Sequence, residues 1–243
     1  MTYTLALLSG LMLGTLGGGG SILIVPILIY LAKIEPKLAI ALSLAIVFFA
    51  SSTAVLANLK SKTINFKIAL FFIPFSLTGT LLGAYLSKYL SSTIQLLIFA
   101  AIMLAVAITM LKKSKETTSA HFSILSFGIK ASFVGLLTGV IGVGGGFLIV
   151  PTLNLIAKQS IKVSISTSLL IIALNSLGGF LQYVNVLNIP WEFLIPFTLL
   201  TSLGSLVGSI LSNKSKPESL KKYFSYFLFL MSFFIIIKEL LLA

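Results

Sequence analysis

Residues 10–26 read GLMLGTLGGGGSILIVP and residues 135–151 read GLLTGVIGVGGGFLIVP, and the two align without a gap at an offset of 125. Each is a pair of apolar arms joined by glycines: Gly17 to Gly20 in the first, Gly142 with Gly144 to Gly146 in the second. One glycine costs a helix interior about 1 kcal/mol relative to alanine, so a block of them abandons the helix. The arms 4–17 and 20–33 have about 14 residues each, or roughly 21 Å as helix, too short to cross about 30 Å of hydrocarbon. Each stretch therefore reads as a hairpin that enters the membrane and returns; the other reading is a single tilted crossing kinked at the glycines.

The same offset extends outward from these stretches. It pairs Lys33 with Lys158, Lys37 with Lys162, Ser43-Leu44 with Ser168-Leu169, Ser51 with Ser176, Gly79 with Gly204 and Gly83 with Gly208. About a third of the positions are identical over roughly 80 residues, which shared hydrophobicity alone does not produce. The chain reads as a duplicated unit of four apolar segments: 4–33, 38–58, 67–87 and 92–111, then 129–158, 163–185, 191–212 and 220–242. The expected organisation is a first transmembrane repeat over 1–111, a polar linker over 112–122 and a second repeat over 123–243.

Composition places both repeats in a bilayer. Of 243 residues, 58% are hydrophobic and 9% charged, against about 25% charged in soluble proteins. There is no cysteine, which removes disulfides and thiolate chemistry. All 17 basic residues are lysines, and the five acidic residues are Glu35, Glu116, Glu192, Glu218 and Glu239, each at a segment end. The sole histidine, His121, is in the linker. No carboxylate or imidazole is expected in mid-membrane, so an enzyme, a metal centre, a cofactor site and a carboxylate-based cation path are all disfavoured. The net charge of +12 does not point to nucleic acid, because the lysines sit in short loops where they set orientation. The first apolar run opens without a basic residue and is expected to be structure rather than a signal peptide.

The lysines also choose between the two readings of the glycine-broken segments. If all eight segments cross, the lysines divide 8 to 9 between the two faces; if 4–33 and 129–158 are hairpins, they divide 13 to 4. The positive-inside rule prefers the hairpins. Each repeat then crosses three times and the second is inverted relative to the first. The expected fold is thus an all-α polytopic membrane protein of the inverted-repeat transporter type, with both termini outside.

Paired backbone breaks near the midplane are the strongest pointer to a transport site that such a chain offers. Irregular backbone survives at membrane depth only beside protein or a water-filled cavity. Freed N–H groups at the start of the returning arm suit an anion. The candidate substrate-binding residues are Gly17, Gly19, Gly20 and Ser21 with Gly142, Gly144, Gly145 and Gly146. Gly19 and Gly144 are expected to line one cavity. The second crossings add Ser43, Thr167, Ser168, Asn175 and Gln182, with interhelical hydrogen bonding as the alternative role for Asn175 and Gln182. Gly10, Gly14, Gly79, Gly83, Gly204 and Gly208 recur every four residues and read as close helix packing. Lys33, Lys37, Lys158 and Lys162 read as interfacial anchors.

The pattern G-xxx-G-xx-GxGG-xxxx-P, clearest from Gly135 to Pro151 and followed by Ser166-Thr167-Ser168-Leu169, resembles the TauE/SafE family of membrane permeases, the sulfite exporter group. The likeness covers essentially the whole chain. It implies a permease in a prokaryotic cytoplasmic membrane that moves sulfite or an organosulfonate such as sulfoacetate. The family's glycine run carries over onto Gly17, Gly19 and Gly20 and onto Gly142, Gly144 and Gly145. Its Thr-Ser-Leu element is complete only in the second repeat; the first has Leu42-Ser43-Leu44. A permease for a carboxylate and a non-transporting membrane scaffold are the alternatives. The expected partners are a small anionic substrate and the lipid bilayer, with a homo-oligomer compatible with the same surface.

Overall fold

The structure is a computed structural model that describes residues 2–87, 89–111, 124–141, 146–184 and 187–242. The described residues form ten α-helices: α1 (Thr2–Leu16), α2 (Ser21–Pro26), α3 (Pro36–Ser61), α4 (Phe66–Ser87), α5 (Ser92–Leu111), α6 (Ile124–Ile141), α7 (Gly146–Pro151), α8 (Ile161–Leu181), α9 (Trp191–Lys214) and α10 (Pro217–Leu242). Five of them, α3, α4, α8, α9 and α10, are long and apolar enough to cross a membrane, and shorter apolar helices accompany them. Leu70, Leu199, Leu230 and Phe233 are among many large apolar side chains that point outward, a surface suited to lipid and not to water.

Element boundaries recur at the offset of 125. α2 and α7 begin at Ser21 and Gly146, and each ends at a proline, Pro26 or Pro151. A proline removes one helical hydrogen bond and crowds the preceding turn. The chain accommodates it by widening into a π turn, Ile27–Leu31 or Thr152–Ile156. Both turns close with an i to i+5 bond, from the N–H of Ala32 to the carbonyl of Ile27 (3.0 Å) and from that of Ala157 to Thr152 (3.2 Å). Lys33 and Lys158 follow in left-handed conformation at φ 54° and 51°, which redirects the chain into α3 and α8. α3 starts with Pro36 in its first turn, and α8 is capped by Ser160, whose hydroxyl accepts from the N–H of Val163.

Helix directions follow from the close contacts. A Cβ placed on Gly10 would meet the carbonyl of Thr201, and one on Gly14 would meet that of Ser205. Reciprocally, Gly204 abuts the carbonyl of Leu7 and Gly208 that of Leu11. α1 and α9 therefore run parallel, backbone against backbone. α4 and α6 make the same contact: Gly79 abuts Ser132, Gly83 abuts Leu136, and Gly135 abuts Ser76. The periodic glycines are thus packing glycines.

α3 also runs parallel to α9. Thr53 Oγ1 lies 3.3 Å from the carbonyl of Ser202, Ser209 Oγ lies 3.3 Å from that of Ala54, and Asn213 Nδ2 donates to Asn58 Oδ1 at 2.8 Å. Since α1 and α3 share the direction of α9, the chain must reverse between them. The return arm packs back on α1, where Gly20 fits against the carbonyl of Ser9 and the N–H of Leu13. Segment 4–33 is accordingly a turn-back and not one kinked rod. At the centre α3 and α8 cross antiparallel, with Leu44 against Gly179 at one end and Thr63 hydrogen-bonded to Ser166 (2.8 Å) at the other. Phe72, Phe99, Phe197 and Phe224 fill the interior around this pair.

Candidate functional site

The first break is described in full. Gly17 has φ +70°, a conformation that side chains other than glycine's adopt at a cost, and the Cα of Ile165 on α8 leaves no room for a Cβ there. Ser168 Oγ, also on α8, lies 2.9 Å from the carbonyl of Gly17 and 2.8 Å from that of its own Ile165. One hydroxyl of the second half thus pins the break of the first. The N–H groups of Ser21, Ile22 and Leu23 turn back onto the carbonyls of Gly18, Gly19 and Gly20 at 3.2, 3.3 and 3.1 Å. That use of the start of α2 shifts the free donors one step earlier than the sequence suggests. The N–H groups of Gly18, Gly19 and Gly20 are the ones without a protein acceptor among the described residues. All three residues are buried. Consecutive free N–H groups after a left-handed residue form a concavity suited to an anion. With only six α-helical residues in α2, these donors, rather than a helix dipole, carry the electrostatics.

The described end of the second glycine run lies against the first break. Gly142, Gly144 and Gly145 lie outside the described residues, but Gly146 opens α7, and a Cβ on it would come 3.4 Å from the Cα of Gly18 and 2.6 Å from Cδ1 of Ile172. Gly17 and Gly146 therefore both approach α8, along the face that carries Ile165, Ser168 and Ile172.

The other candidates scatter. Ser21 Oγ closes its own turn on the carbonyl of Gly18 (2.7 Å), and Ser43 Oγ donates to that of Ile40 (2.7 Å). Thr167 Oγ1 accepts from the N–H of Asn65 (3.0 Å), which ties α8 to the loop after α3. Asn175 Nδ2 donates to Ser76 Oγ on α4 (3.1 Å), so the interhelical role holds for it. Gln182 stands exposed just past α8, remote from Gly17 and Ile165 at the opposite end of that helix. The Cα of Gly19 turns toward α10: the ring of Phe227 stands 3.1 Å from where its Cβ would be. Lys162 Nζ donates to the carbonyl of Asn213 (2.8 Å) near the end of α9, an anchoring role.

Two residues now join the set. The buried hydroxyls of Ser51 and Ser176 have no hydrogen-bond partner among the described residues. They are the one serine pair of α3 and α8, besides Ser43 and Ser168, that the offset of 125 aligns, a signal present in the sequence.

Two spaces among the described residues lie away from the breaks. An apolar cleft of about 1000 Å³ separates α1 and α2 from α10, and a pocket of about 610 Å³ near Asn65, Lys67 and Gln159 opens at the lysine-rich end.

A helical, multi-span membrane protein with a buried glycine break against its central helix fits the class of solute transporters. Residues 3–235 match the family model described as sulfite exporter TauE/SafE, and the chain belongs to that family, one of transporters and not of enzymes. It is 28% identical to the probable membrane transporter protein YunE of Bacillus subtilis, over 90% of this chain and 92% of that one. It is 27% identical to the probable membrane transporter protein MJ0441 of Methanocaldococcus jannaschii, over 96% and 95% of the two chains. A probable membrane transporter protein of Xylella fastidiosa is 29% identical over 85% and 82%. No solved structure matches significantly.

Proposed function

We propose that the chain is a secondary permease for a small sulfur-containing anion, sulfite or an organosulfonate such as sulfoacetate, in a prokaryotic cytoplasmic membrane. The observation that carries the reading is the buried first break beside Gly146, where the N–H groups of Gly18, Gly19 and Gly20 have no acceptor among the described residues. An unpaired buried N–H costs about 1–3 kcal/mol, which a bound oxyanion would recover. The sulfite exporter name of the family favours a sulfur oxyanion over a carboxylate.

Two inverted repeats, 1–111 and 123–243 about the linker 112–122, account for the matching boundaries and for the antiparallel crossing of α3 and α8, which the offset aligns. In that arrangement the hairpins 4–33 and 129–158 are re-entrant, and rocking of one repeat against the other would open the junction to each side in turn. The test is flux of labelled sulfite, sulfoacetate and acetate in proteoliposomes. Saturable flux of a sulfur anion above that of acetate is expected. Movement of acetate alone would reassign the substrate, and movement of none would leave the scaffold reading.

Orientation follows from the lysines, 13 of which fall on the face of the 61–66 and 214–217 connections. That face is cytoplasmic in this reading, with both termini outside. Asn188→Cys should react with a membrane-impermeant maleimide on intact cells and Lys216→Cys only after permeabilisation; the reverse pattern would invert the topology.

No glutamate carboxylate serves transport in this mechanism. Glu35, Glu192 and Glu218 stand exposed at helix ends, and Glu116 and Glu239 are peripheral in sequence. Each of the five Glu→Gln variants is expected to keep at least about half of wild-type flux, since none contributes a proton step. Abolition by any one of them refutes the carboxylate-free mechanism.

A further inference from the structure

We propose that the hydroxyls of Ser51 and Ser176 are substrate-binding groups that complete the anion site from the two central helices. The proposal rests on the anion-permease reading above and names two donors within it.

Several buried serines in these helices satisfy themselves locally. Ser9, Ser21, Ser43 and Ser76 all donate to the carbonyl three residues earlier at 2.7–3.1 Å. Ser51 and Ser176 do not, although they are 0% and 2% exposed. A hydroxyl turned away from its own helix and buried without a partner costs free energy that a serine can avoid by rotating about χ1. Thr198 and Ser205 on α9 are also unpartnered, but their counterparts in the first half, Ile73 and Thr80, do not repeat the feature: Thr80 donates to the carbonyl of Ser76 at 2.8 Å. Ser51 and Ser176 are the unpartnered pair that the duplication relates.

Their placement points the same way. Ile165, Ser168 and Ile172 face the two breaks, and Ser176 continues that stripe one turn beyond Ile172. On the antiparallel partner, Leu44 lies against Gly179, so Ser51, seven residues on from Leu44, is level with Ile172, seven residues back from Gly179. Ile172 is the residue that touches Gly146 where the breaks meet. The two hydroxyls thus fall within about one helical turn of each other in depth, at the level of the junction.

The chemistry implies a class of ligand. The donors are neutral, two hydroxyls and three N–H groups, with isoleucine walls and no cationic side chain on these elements between Gly17 and Ile29 or between Val163 and Gln182. The cost of desolvating an ion grows with the square of the charge carried at one centre, so such a site favours a singly charged group over a compact dianion. It suits hydrogen sulfite or the sulfonate end of an organosulfonate and not sulfate.

The test measures binding of methanesulfonate, sulfite and sulfate to detergent-purified wild-type, Ser51→Ala, Ser176→Ala and doubly substituted protein, with thermal unfolding of each. Hydrogen bonds to a charged partner are strong, so each alanine should weaken methanesulfonate binding about tenfold or more and the pair about a hundredfold. Unfolding temperatures should stay level or rise, because each substitution deletes an unsatisfied buried group. Sulfate should not bind. Alanine variants that bind methanesulfonate as tightly as wild type, or that unfold at lower temperature in step with any loss, would overturn the hydroxyl assignment while leaving the permease reading intact. Sulfate binding on a par with methanesulfonate would overturn the monoanion restriction. Failure of wild-type protein to bind either sulfur monoanion would overturn both readings at once.

Discussion

Gly14→Ala and Gly204→Ala are each expected to remove most folded protein, a loss of more than about 3 kcal/mol, at the upper end of what overpacking costs. A Cβ on Gly14 would coincide with the carbonyl of Ser205 and approach the N–H of Ser209, and one on Gly204 would coincide with the carbonyl of Leu7. Neither neighbour is a side chain that can rotate away. The only relief is to push α1 and α9 apart along their whole contact, which forfeits the dispersion that joins helices in lipid, where no hydrophobic driving force compensates. Gly178→Ala is the control. Its new methyl would meet only Cδ1 of Leu77 at 3.2 Å, a flexible end that can yield, and alanine gains about 1 kcal/mol in helix propensity. Monodisperse yield and unfolding temperature in matched detergent separate the cases. Wild-type values for Gly14→Ala would show that the α1–α9 contact is not what the structure describes.

The difference between these glycines and those at the breaks was legible in the sequence from spacing alone. Recurrence every four residues places Gly10, Gly14, Gly204 and Gly208 on one helix face, whereas a block such as Gly17 to Gly20 has no face at all. The choice of partner was not legible. α1 packs on α9, and α4 on α6, so each contact joins the two halves, while a small-residue motif states only that some backbone will come close. The hairpin could be read because arm length and lysine placement both depend on how often the chain crosses.

Within the site, Ser168 was found because it lies in the repeated Ser-Leu pair, and its carbonyl partner Gly17 was already suspect. Asn175 could not be assigned from sequence, since an amide one helix away at Ser76 and an amide facing substrate leave the same trace. The direction in which Gly19 faces was not legible for a related reason. Once helical phase is lost in a glycine block, nothing in the sequence says which way a given Cα faces, and here it faces Phe227. Gln182 was grouped with Asn175 by its spacing of seven, but α8 ends at Leu181, and Gln182 is left exposed beyond it.

The residue that can obstruct the junction without disturbing the scaffold is therefore Gly146, not Gly19. Its missing side chain would lie between Gly18 and the tip of Ile172, so a leucine there projects into the space where the breaks meet. Combined with Ile172→Ala, the substitution nearly conserves side-chain volume, and volume-conserving exchanges in a packed interior cost less than about 1.5 kcal/mol. The Gly146→Leu/Ile172→Ala protein is expected to be monodisperse and to unfold within a few degrees of wild type. It should nevertheless lose at least about a hundredfold in anion affinity and show no flux above protein-free vesicles, since the obstruction denies the substrate both the N–H groups of Gly18 to Gly20 and the approach from α8. Ile172→Ala alone should retain flux, because it enlarges the junction and removes no donor. Binding by the double variant at wild-type strength, in protein shown to be folded, would place the substrate elsewhere and reduce the glycine breaks to a packing device.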